Sequence, residues 1–180
     1  MRGTPYPIRL MGGLRKPKEI RLGIDVAGEV EAVGKDVTEF TPGDQVFGSC
    51  RGAFAEYVCP PQSALVIKPE NVTFAPAAAA PVAGFTALQG LRDKGHIQSG
   101  QKVLINGAAG GVGTFAAQIA KSFGAEVTGV CSSRNVEMVR SVGADHVIDY
   151  AQQNFTLSDR QYDLLFDCIT NHSLSALGAS

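Results

Sequence analysis

The chain has 180 residues, of which 44% are hydrophobic and 18% charged, and its formal net charge is -1. This size and composition are typical of one globular domain, or of one domain with part of another. The low charge and the lack of a basic block predict no nucleic-acid partner, and no apolar run is long enough to predict a membrane span. The cysteines show no pairing pattern, which indicates a reduced, cytoplasmic setting.

The first part of the chain has the pattern of an all-β segment. Between residues 21 and 69, short strand-like runs alternate with turns that contain glycine or proline. The predicted strands are 23–33, 45–47, 53–58 and 64–67. The alanine-rich stretch 75–91 then predicts a helix that Pro76 starts and Pro81 interrupts.

The most informative stretch, 103–113, joins an aliphatic run, a glycine turn and the start of a helix. Its spacing is Gly107-x-x-Gly110-x-x-Gly113 rather than the usual G-x-G-x-x-G. Such a turn lets the backbone approach a pyrophosphate, whose charge the helix N-terminus then meets. The order of strand, turn and helix therefore predicts a dinucleotide-binding unit.

The elements after the turn alternate between helix and strand. Apolar residues recur at helical spacing at Val112, Phe115, Ala116, Ile119, Ala120 and Phe123. Gly124 is expected to end that helix, because it can adopt a left-handed backbone. Strands are predicted over 125–130, 145–150 and 162–168, and a short helix over 136–142. This alternation predicts an α/β fold with a doubly wound parallel sheet.

The end of the second strand of this unit distinguishes the two nicotinamide cofactors. Proteins that bind NAD usually carry Asp or Glu there, about 20 residues past the glycine turn. This chain has Cys131-Ser132-Ser133-Arg134 without a carboxylate, and a guanidinium beside hydroxyls suits the 2′-phosphate of NADP. The sequence therefore favours NADPH. A compatible alternative is that Ser133 or Asn135 caps the next helix and Arg134 lies on its solvated first turn.

Three runs in the first half of the chain form one pattern: Gly23-Ile24-Asp25-Val26-Ala27-Gly28-Glu29-Val30, Pro42-Gly43-Asp44-Gln45-Val46-Phe47-Gly48 and Gly52-Ala53-Phe54-Ala55-Glu56-Tyr57. They resemble the GroES-like half of the medium-chain dehydrogenase/reductase superfamily. The stretch 79–88 resembles its interdomain helix, and 108–113 resembles the glycine turn of its zinc-independent quinone oxidoreductase branch. The resemblance implies a partial GroES-like β-domain over residues 1–75. It further implies an incomplete NADP-binding Rossmann domain over 76–180, in a chain truncated at both ends relative to the family.

Departures from the family pattern bear on metal binding. Zinc alcohol dehydrogenases of this superfamily carry Gly-His-Glu where this chain has Gly23-Ile24-Asp25. They also place a cysteine ligand where this chain has Val82, four residues before Thr86. Because zinc needs imidazole or thiolate ligands in such a set, the resemblance predicts no zinc.

The resemblance implies a zinc-independent, NADPH-dependent reductase that transfers hydride to a quinone or another activated enone. It implies a homodimer for the full-length parent and identifies no catalytic residue. The implied cofactor contacts are Ala109, Gly110, Gly111 and Val112 for the pyrophosphate, Ser132, Arg134 and Tyr150 for the 2′-phosphate and adenosine, and Thr86 for the nicotinamide. Two alternatives stay open: a non-catalytic NADPH-binding or structural protein, as in the related lens zeta-crystallins, and an inactive fragment of such a reductase.

The other polar and aromatic candidates are expected to have structural roles. The histidines show no ligand spacing, and the cysteines at strand ends are expected to fill small apolar spaces. Asp25 is expected to stabilise a turn, with orientation of a ribose or of a backbone amide as the alternative. For Tyr150 the alternative is an aromatic ring packed on the sheet. These structural candidates are His96, His146, His172, Cys131, Cys168, Asp25 and Tyr150.

Overall fold

The computed structural model describes residues 21–157 and 160–173. The chain divides into two compact units, and the division falls after Val82. No helix within the described ranges has the length and hydropathy needed to cross a membrane. Each unit is built around its own β-sheet.

The first unit contains a three-stranded antiparallel sheet. Its strands are β1 (Asp25–Glu29), β2 (Gln45–Ser49) and β3 (Leu65–Ile67), with β2 in the centre. The predicted strand over 53–58 is wrong: the amide of Phe54 donates to the carbonyl of Leu22, and the segment pairs with no strand in the part of the chain that the structure describes. The apolar side chains Phe54 and Tyr57 are largely exposed, so the segment has no buried face to hold it against a sheet.

The predicted alanine-rich helix is confirmed, with its break at Pro81. Helix α1 (Phe74–Ala79) is followed by α2 (Pro81–Leu88), and a π-helical segment continues over Gln89–Lys94. The Oδ1 atom of Asp25 accepts the amide of Val82 at 2.9 Å, in the first turn of α2. The expectation that Asp25 stabilises a local turn is therefore wrong. The alternative, that Asp25 orients a backbone amide, is confirmed, because its carboxylate accepts a helix N-terminal amide.

The second unit contains a four-stranded parallel sheet in the order β6-β5-β4-β7. Its strands are β4 (Lys102–Asn106), β5 (Glu126–Cys131), β6 (His146–Asp149) and β7 (Leu164–Asp167), connected in part by α3 (Gly111–Ser122) and α4 (Val136–Ser141). The chain adds β5 and β6 on one side of β4 and then returns to place β7 on the other. The predicted parallel α/β sheet is confirmed, and its strand order reverses beside β4.

Burial on both faces explains why β4 is an uninterrupted aliphatic run. Val103, Leu104 and Ile105 are almost fully buried. One face packs with small side chains of α3, including Ala116 and Ala120, which permit close approach of the helix. The helix ends as predicted, with Gly124 in the left-handed region at a φ of 80°.

The carboxylate of Asp145 links the end of α3 to strand β5 through hydrogen bonds. Asp145 accepts two hydrogen bonds from Nζ of Lys121, at 2.8 and 2.9 Å, and one from the amide of Val127 at 2.7 Å. Burial favours a raised pKa for Asp145, but the hydrogen bonds from Lys121 and Val127 outweigh it and lower the pKa.

We therefore expect Asp145→Asn to lower the free energy of unfolding by about 1 kcal/mol near neutral pH, a value that allows for solvent screening. Because the pKa of Asp145 is lower in the folded chain, this contribution is present above about pH 4 and is lost as the pH falls through the folded-state pKa. Urea unfolding of both proteins across that range measures the difference. Asp93→Asn, in a surface pair with Arg92, is the matched control. A difference that stays constant down to strong acid would contradict the assignment.

Candidate functional site

A cleft of about 700 Å³ opens at the carboxyl ends of strands β4 and β5. Its lining comes from the glycine turn, the segment after β5, the turn after β6 and the residues after β7. This is the edge where the strand order reverses. In open parallel sheets, ligands bind in the crevice at such a reversal.

The glycine turn forms one wall of the cleft and has the conformation that the sequence predicts. Gly107 has a φ of 85°, a backbone conformation that favours glycine. An added Cβ at Gly113 would overlap the carbonyl oxygen of Gly107, so helix α3 approaches the turn more closely than a side chain permits. The turn is held to β5 by the amide of Ala108, which donates to the carbonyl of Val130 at 3.0 Å.

The first turn of α3 offers unpaired main-chain donors. Its N-cap is Gly110, which has no side chain, and the amide of Thr114 makes the first helical bond, to the carbonyl of Gly110 at 2.9 Å. The amides of Gly111, Val112 and Gly113 precede that bond and therefore lack an intrahelical acceptor. An added Cβ at Gly111 would meet no atom within 4 Å. Open space beside free amides at the positive end of a helix fits a pyrophosphate group.

The segment after β5 places Ser132, Arg134 and Asn135 in the lining of the cleft. Arg134 is exposed, and its guanidinium makes no hydrogen bond or ion pair with any residue that the structure describes. Asn135 is the N-cap of α4 but makes no side-chain cap, and its Nδ2 donates to Oγ of Ser132 at 3.2 Å. The alternative in which Ser133 or Asn135 caps this helix is therefore wrong, although Arg134 does lie on a solvated turn.

The hydroxyl of Ser133 is engaged by a carboxylate from the neighbouring strand. Asp149, the last residue of β6, accepts Oγ of Ser133 at 2.5 Å, the amide of Ala151 at 3.0 Å and Nε2 of Gln152 at 2.9 Å. The hydrogen bond from Ser133 is the main cause of the lowered pKa of Asp149, and the Ala151 amide adds to it. Asp149 thus joins the segment after β5 to the turn after β6.

Burial and the nearby charge of Asp149 raise the pKa of the Cys131 thiol. Cys131 is buried in the floor of the cleft. Its neutral thiol at neutral pH agrees with the expectation that this cysteine fills a small apolar space.

Aromatic side chains form the apolar part of the lining. Tyr150 is 63% exposed and borders the cleft, so the alternative in which its ring packs on the sheet is wrong. Phe155 and His172 also border the cleft, with ring centroids 4.9 Å apart in an edge-to-face arrangement. Neither residue was predicted to line a site, because no local motif links them and only the fold brings them together.

The structure gathers five of the predicted cofactor contacts in the cleft: Ala109, Gly110, Ser132, Arg134 and Tyr150. Gly111 and Val112 begin α3, directly after the turn. Thr86 lies exposed on α2 and is not part of the cleft lining. The proposed contacts themselves stay predictions.

The positions that hold zinc ligands in zinc alcohol dehydrogenases carry exposed aliphatic side chains in the first unit. Ile24 is 55% exposed and Val82 is 42% exposed. The Asp25 carboxylate beside them is bound to the Val82 amide. In residues 21–157 and 160–173, no three His, Cys, Asp or Glu side chains are placed to hold a metal ion.

Comparison with known families assigns both halves of the chain. Residues 5–70 match the alcohol dehydrogenase GroES-like domain, and residues 111–178 match the zinc-binding dehydrogenase family. The chain is 40% identical over 157 residues to the chloroplast envelope quinone oxidoreductase homolog of Arabidopsis thaliana, covering 80% of this chain and 48% of that protein. The chain belongs to the medium-chain dehydrogenase/reductase superfamily. Its antiparallel first unit and parallel second unit are the GroES-like and Rossmann-like parts of that superfamily.

Two further relatives from this superfamily are similar over most of the chain. The NADPH-dependent alkenal/one oxidoreductase of Arabidopsis thaliana is 38% identical over 159 residues, covering 82% of this chain and 41% of that protein. The solved quinone oxidoreductase from Coxiella burnetii has a TM-score of 0.79 and 36% identity, covering 87% of this chain and 50% of that one. The chain thus spans about half the length of the superfamily members it matches, or less.

Proposed function

We propose that the protein is a zinc-independent, NADPH-dependent oxidoreductase that transfers hydride to a quinone or another activated enone. The observation that carries this proposal is the Arg134 guanidinium, which has no partner among the described residues and lines the same cleft as the glycine turn. A permanently charged group in such a position is suited to a phosphate. Two relatives, a quinone oxidoreductase homolog and an NADPH-dependent alkenal/one oxidoreductase, support the same class of reaction.

The residues present fit the two charged groups of NADPH. Ala109, Gly110, Gly111 and Val112 would contact the pyrophosphate, with the main-chain amides of Gly111 and Val112 as donors, since the amide of Gly110 already donates to the carbonyl of Gly107. Ser132, Arg134 and Tyr150 would hold the 2′-phosphate and adenosine, and Thr86 would lie near the nicotinamide. The bound cofactor supplies the hydride. The protein contributes binding and orientation, which bring the reacting atoms together.

The proposal needs no metal at the active site. A conjugated carbonyl accepts hydride at carbon, so a hydrogen bond or a proton from the protein is sufficient to assist it. Ile24 and Val82, at the family's zinc-ligand positions, have no donor atoms for zinc. Zinc independence of this kind distinguishes the proposal from an alcohol dehydrogenase, and metal analysis of the purified chain tests it.

The proposal extends to organisation and setting. We assign residues 1–75 to the GroES-like domain and 76–180 to the nucleotide-binding domain. A small-molecule quinone or enone is the proposed partner, and a homodimer is proposed for the full-length protein. All four cysteines are free thiols, which supports a reduced, cytoplasmic setting.

Fluorescence titration of the chain with NADPH and, in parallel, NADH tests the proposal. We expect saturable binding of both, with NADPH bound at least about tenfold more tightly, a difference of roughly 1.4 kcal/mol. Equal affinities would contradict the 2′-phosphate assignment, and no binding of either would contradict the nucleotide function. Turnover of a quinone with NADPH then separates the reductase from a non-catalytic NADPH-binding protein on the same scaffold.

A further inference from the structure

A buried polar network joins the ends of strands β4 and β7. Asn106 is the last residue of β4, is 4% exposed and lies in register with Asp167, the last residue of β7. Its Nδ2 donates to Oδ1 of Asp167 at 2.9 Å and to Oδ1 of Asn171 at 3.0 Å. Both hydrogens of this buried amide are therefore used to hold residues that follow β7.

Asp167 organises the turn that follows it. Its Oδ1 also accepts the amides of Ile169 and Thr170, each at 2.9 Å. Thr170 has a φ of 57°, a left-handed conformation that costs free energy for a β-branched residue. Burial favours a raised pKa for Asp167, but the amides of Thr170 and Ile169, with the Asn106 side chain, outweigh it and lower the pKa. The carboxylate is therefore charged at neutral pH and holds the turn in its strained form.

The turn after β7 packs on the glycine turn and borders the cleft. An added Cβ at Gly107 would lie 2.7 Å from Cγ1 of Ile169, so the side chain of Ile169 occupies the space that Gly107 leaves open. Ile169 and Asn171 both line the cleft that contains Arg134. Because Asn171 uses Oδ1 to accept from Asn106, the orientation of its carboxamide is fixed, and its Nδ2 donates to none of the residues that the structure describes.

We propose that Asp167, held by Asn106, is a positioning residue for the nucleotide site. It fixes the turn so that Ile169 offers an apolar surface to the adenine ring and Asn171 offers an amide donor to the same ligand. The inference rests on the proposed function, because the 2′-phosphate assigned to Arg134 belongs to the adenosine half of NADPH. It adds residues that the cofactor contacts predicted from the sequence do not include.

The test uses the full 180-residue chain and adenosine 2′,5′-bisphosphate as the probe, with NADPH in parallel. We expect Asp167→Ala to weaken binding of both about tenfold, as for the loss of one charge-assisted hydrogen-bonded group. Asp167→Asn keeps an oxygen acceptor and is expected to restore binding to within about threefold of the unaltered chain. Asp163→Ala is the matched control, because Asp163 accepts the Lys102 amide at the opposite ends of the same two strands.

The possible outcomes separate this inference from the proposed function. Weakening by Asp167→Ala that exceeds that of Asp163→Ala, with recovery in Asp167→Asn, supports positioning. Equal weakening in the two alanine variants, or none in either, overturns it. Absence of binding by the unaltered chain overturns the proposed function together with this inference.

A second variant, Asn171→Ala, tests the inference if Asp167→Ala does not fold. Asn171 is exposed at the far end of the network, so Asn171→Ala keeps the bonds between Asp167, Asn106 and the turn amides. If Asp167→Ala does not fold by circular dichroism, several-fold weaker binding in Asn171→Ala supports the inference. Unchanged binding in that variant overturns it.

Discussion

Replacing Gly113 with alanine is expected to lower the free energy of unfolding by about 3 kcal/mol or more and to abolish NADPH binding. The added Cβ would overlap the carbonyl oxygen of Gly107 and would lie 2.8 Å from the Cα of Ala108. Both are backbone atoms, so no rotamer change relieves the contact. Either α3 or the glycine turn must move, and each forms part of the proposed nucleotide site. Urea unfolding and NADPH fluorescence measure the two effects.

Gly111→Ala is the matched control, two residues earlier on the same helix. No atom lies within 4 Å of its added Cβ, so we expect stability to be unchanged or raised by up to about 1 kcal/mol through helix propensity. The methyl group would nevertheless enter the space assigned to the pyrophosphate and weaken NADPH binding. Equal losses of stability in the two variants would show that the close approach at Gly113 is not what requires glycine.

Replacing Arg134 with alanine is expected to weaken NADPH binding by about 10- to 100-fold, from the loss of a charged hydrogen-bonded contact. NADH lacks the 2′-phosphate, so its affinity is expected to stay within about twofold of the unaltered value. Arg134 has no partner among the described residues, so its removal leaves no side chain unpaired and stability is expected to change by less than about 0.5 kcal/mol. Parallel fluorescence titrations with both cofactors measure the change in preference.

Arg140→Ala provides the charge-matched comparison. Arg140 lies on α4, is exposed and pairs with Glu137 at 2.9 Å, outside the nucleotide cleft. Its removal changes net charge by the same amount but is expected to leave both affinities nearly unchanged. A similar loss of NADPH binding in the two variants would indicate a general electrostatic effect, and an equal loss of NADH binding would exclude a 2′-phosphate contact.

Local signals explain why the strand, turn and helix that begin the Rossmann-like unit were predictable. Strand β4, the glycine turn and α3 follow one another without interruption, and each carries its own periodicity or turn residue. The strand order was beyond these signals, because parallel pairing joins residues far apart in the sequence. The strand predicted over 53–58 was wrong because the apolar side chains there stay exposed. The backbone amides of this segment instead donate to the carbonyls of residues 22 and 23.

The prediction of site residues also depended on signals from residues that are close together in the sequence. Ser132 and Arg134 were predicted because they follow directly from β5, and Ala109 and Gly110 because they lie within the turn. Asp149 meets Ser133 across 16 residues, and Asn106 meets Asp167 across 61, through the register of neighbouring strands. An aspartate at the end of a predicted strand was the available signal for both carboxylates. It indicates a capped turn but does not identify the strand with which the carboxylate will bond.

The proposed nucleotide site uses main-chain amides in the first turn of α3 and side chains in the segment after β5. Amide donors are common to all amino acids except proline, so substitution at Val112 leaves the proposed pyrophosphate contact chemically unchanged. In the proposed function, selection between cofactors rests with the exposed segment around Arg134, which contributes little to the core. If that proposal holds, a few surface substitutions there would change the cofactor preference. The stability of the sheet and the proposed main-chain contacts to the pyrophosphate would be unaffected by those substitutions.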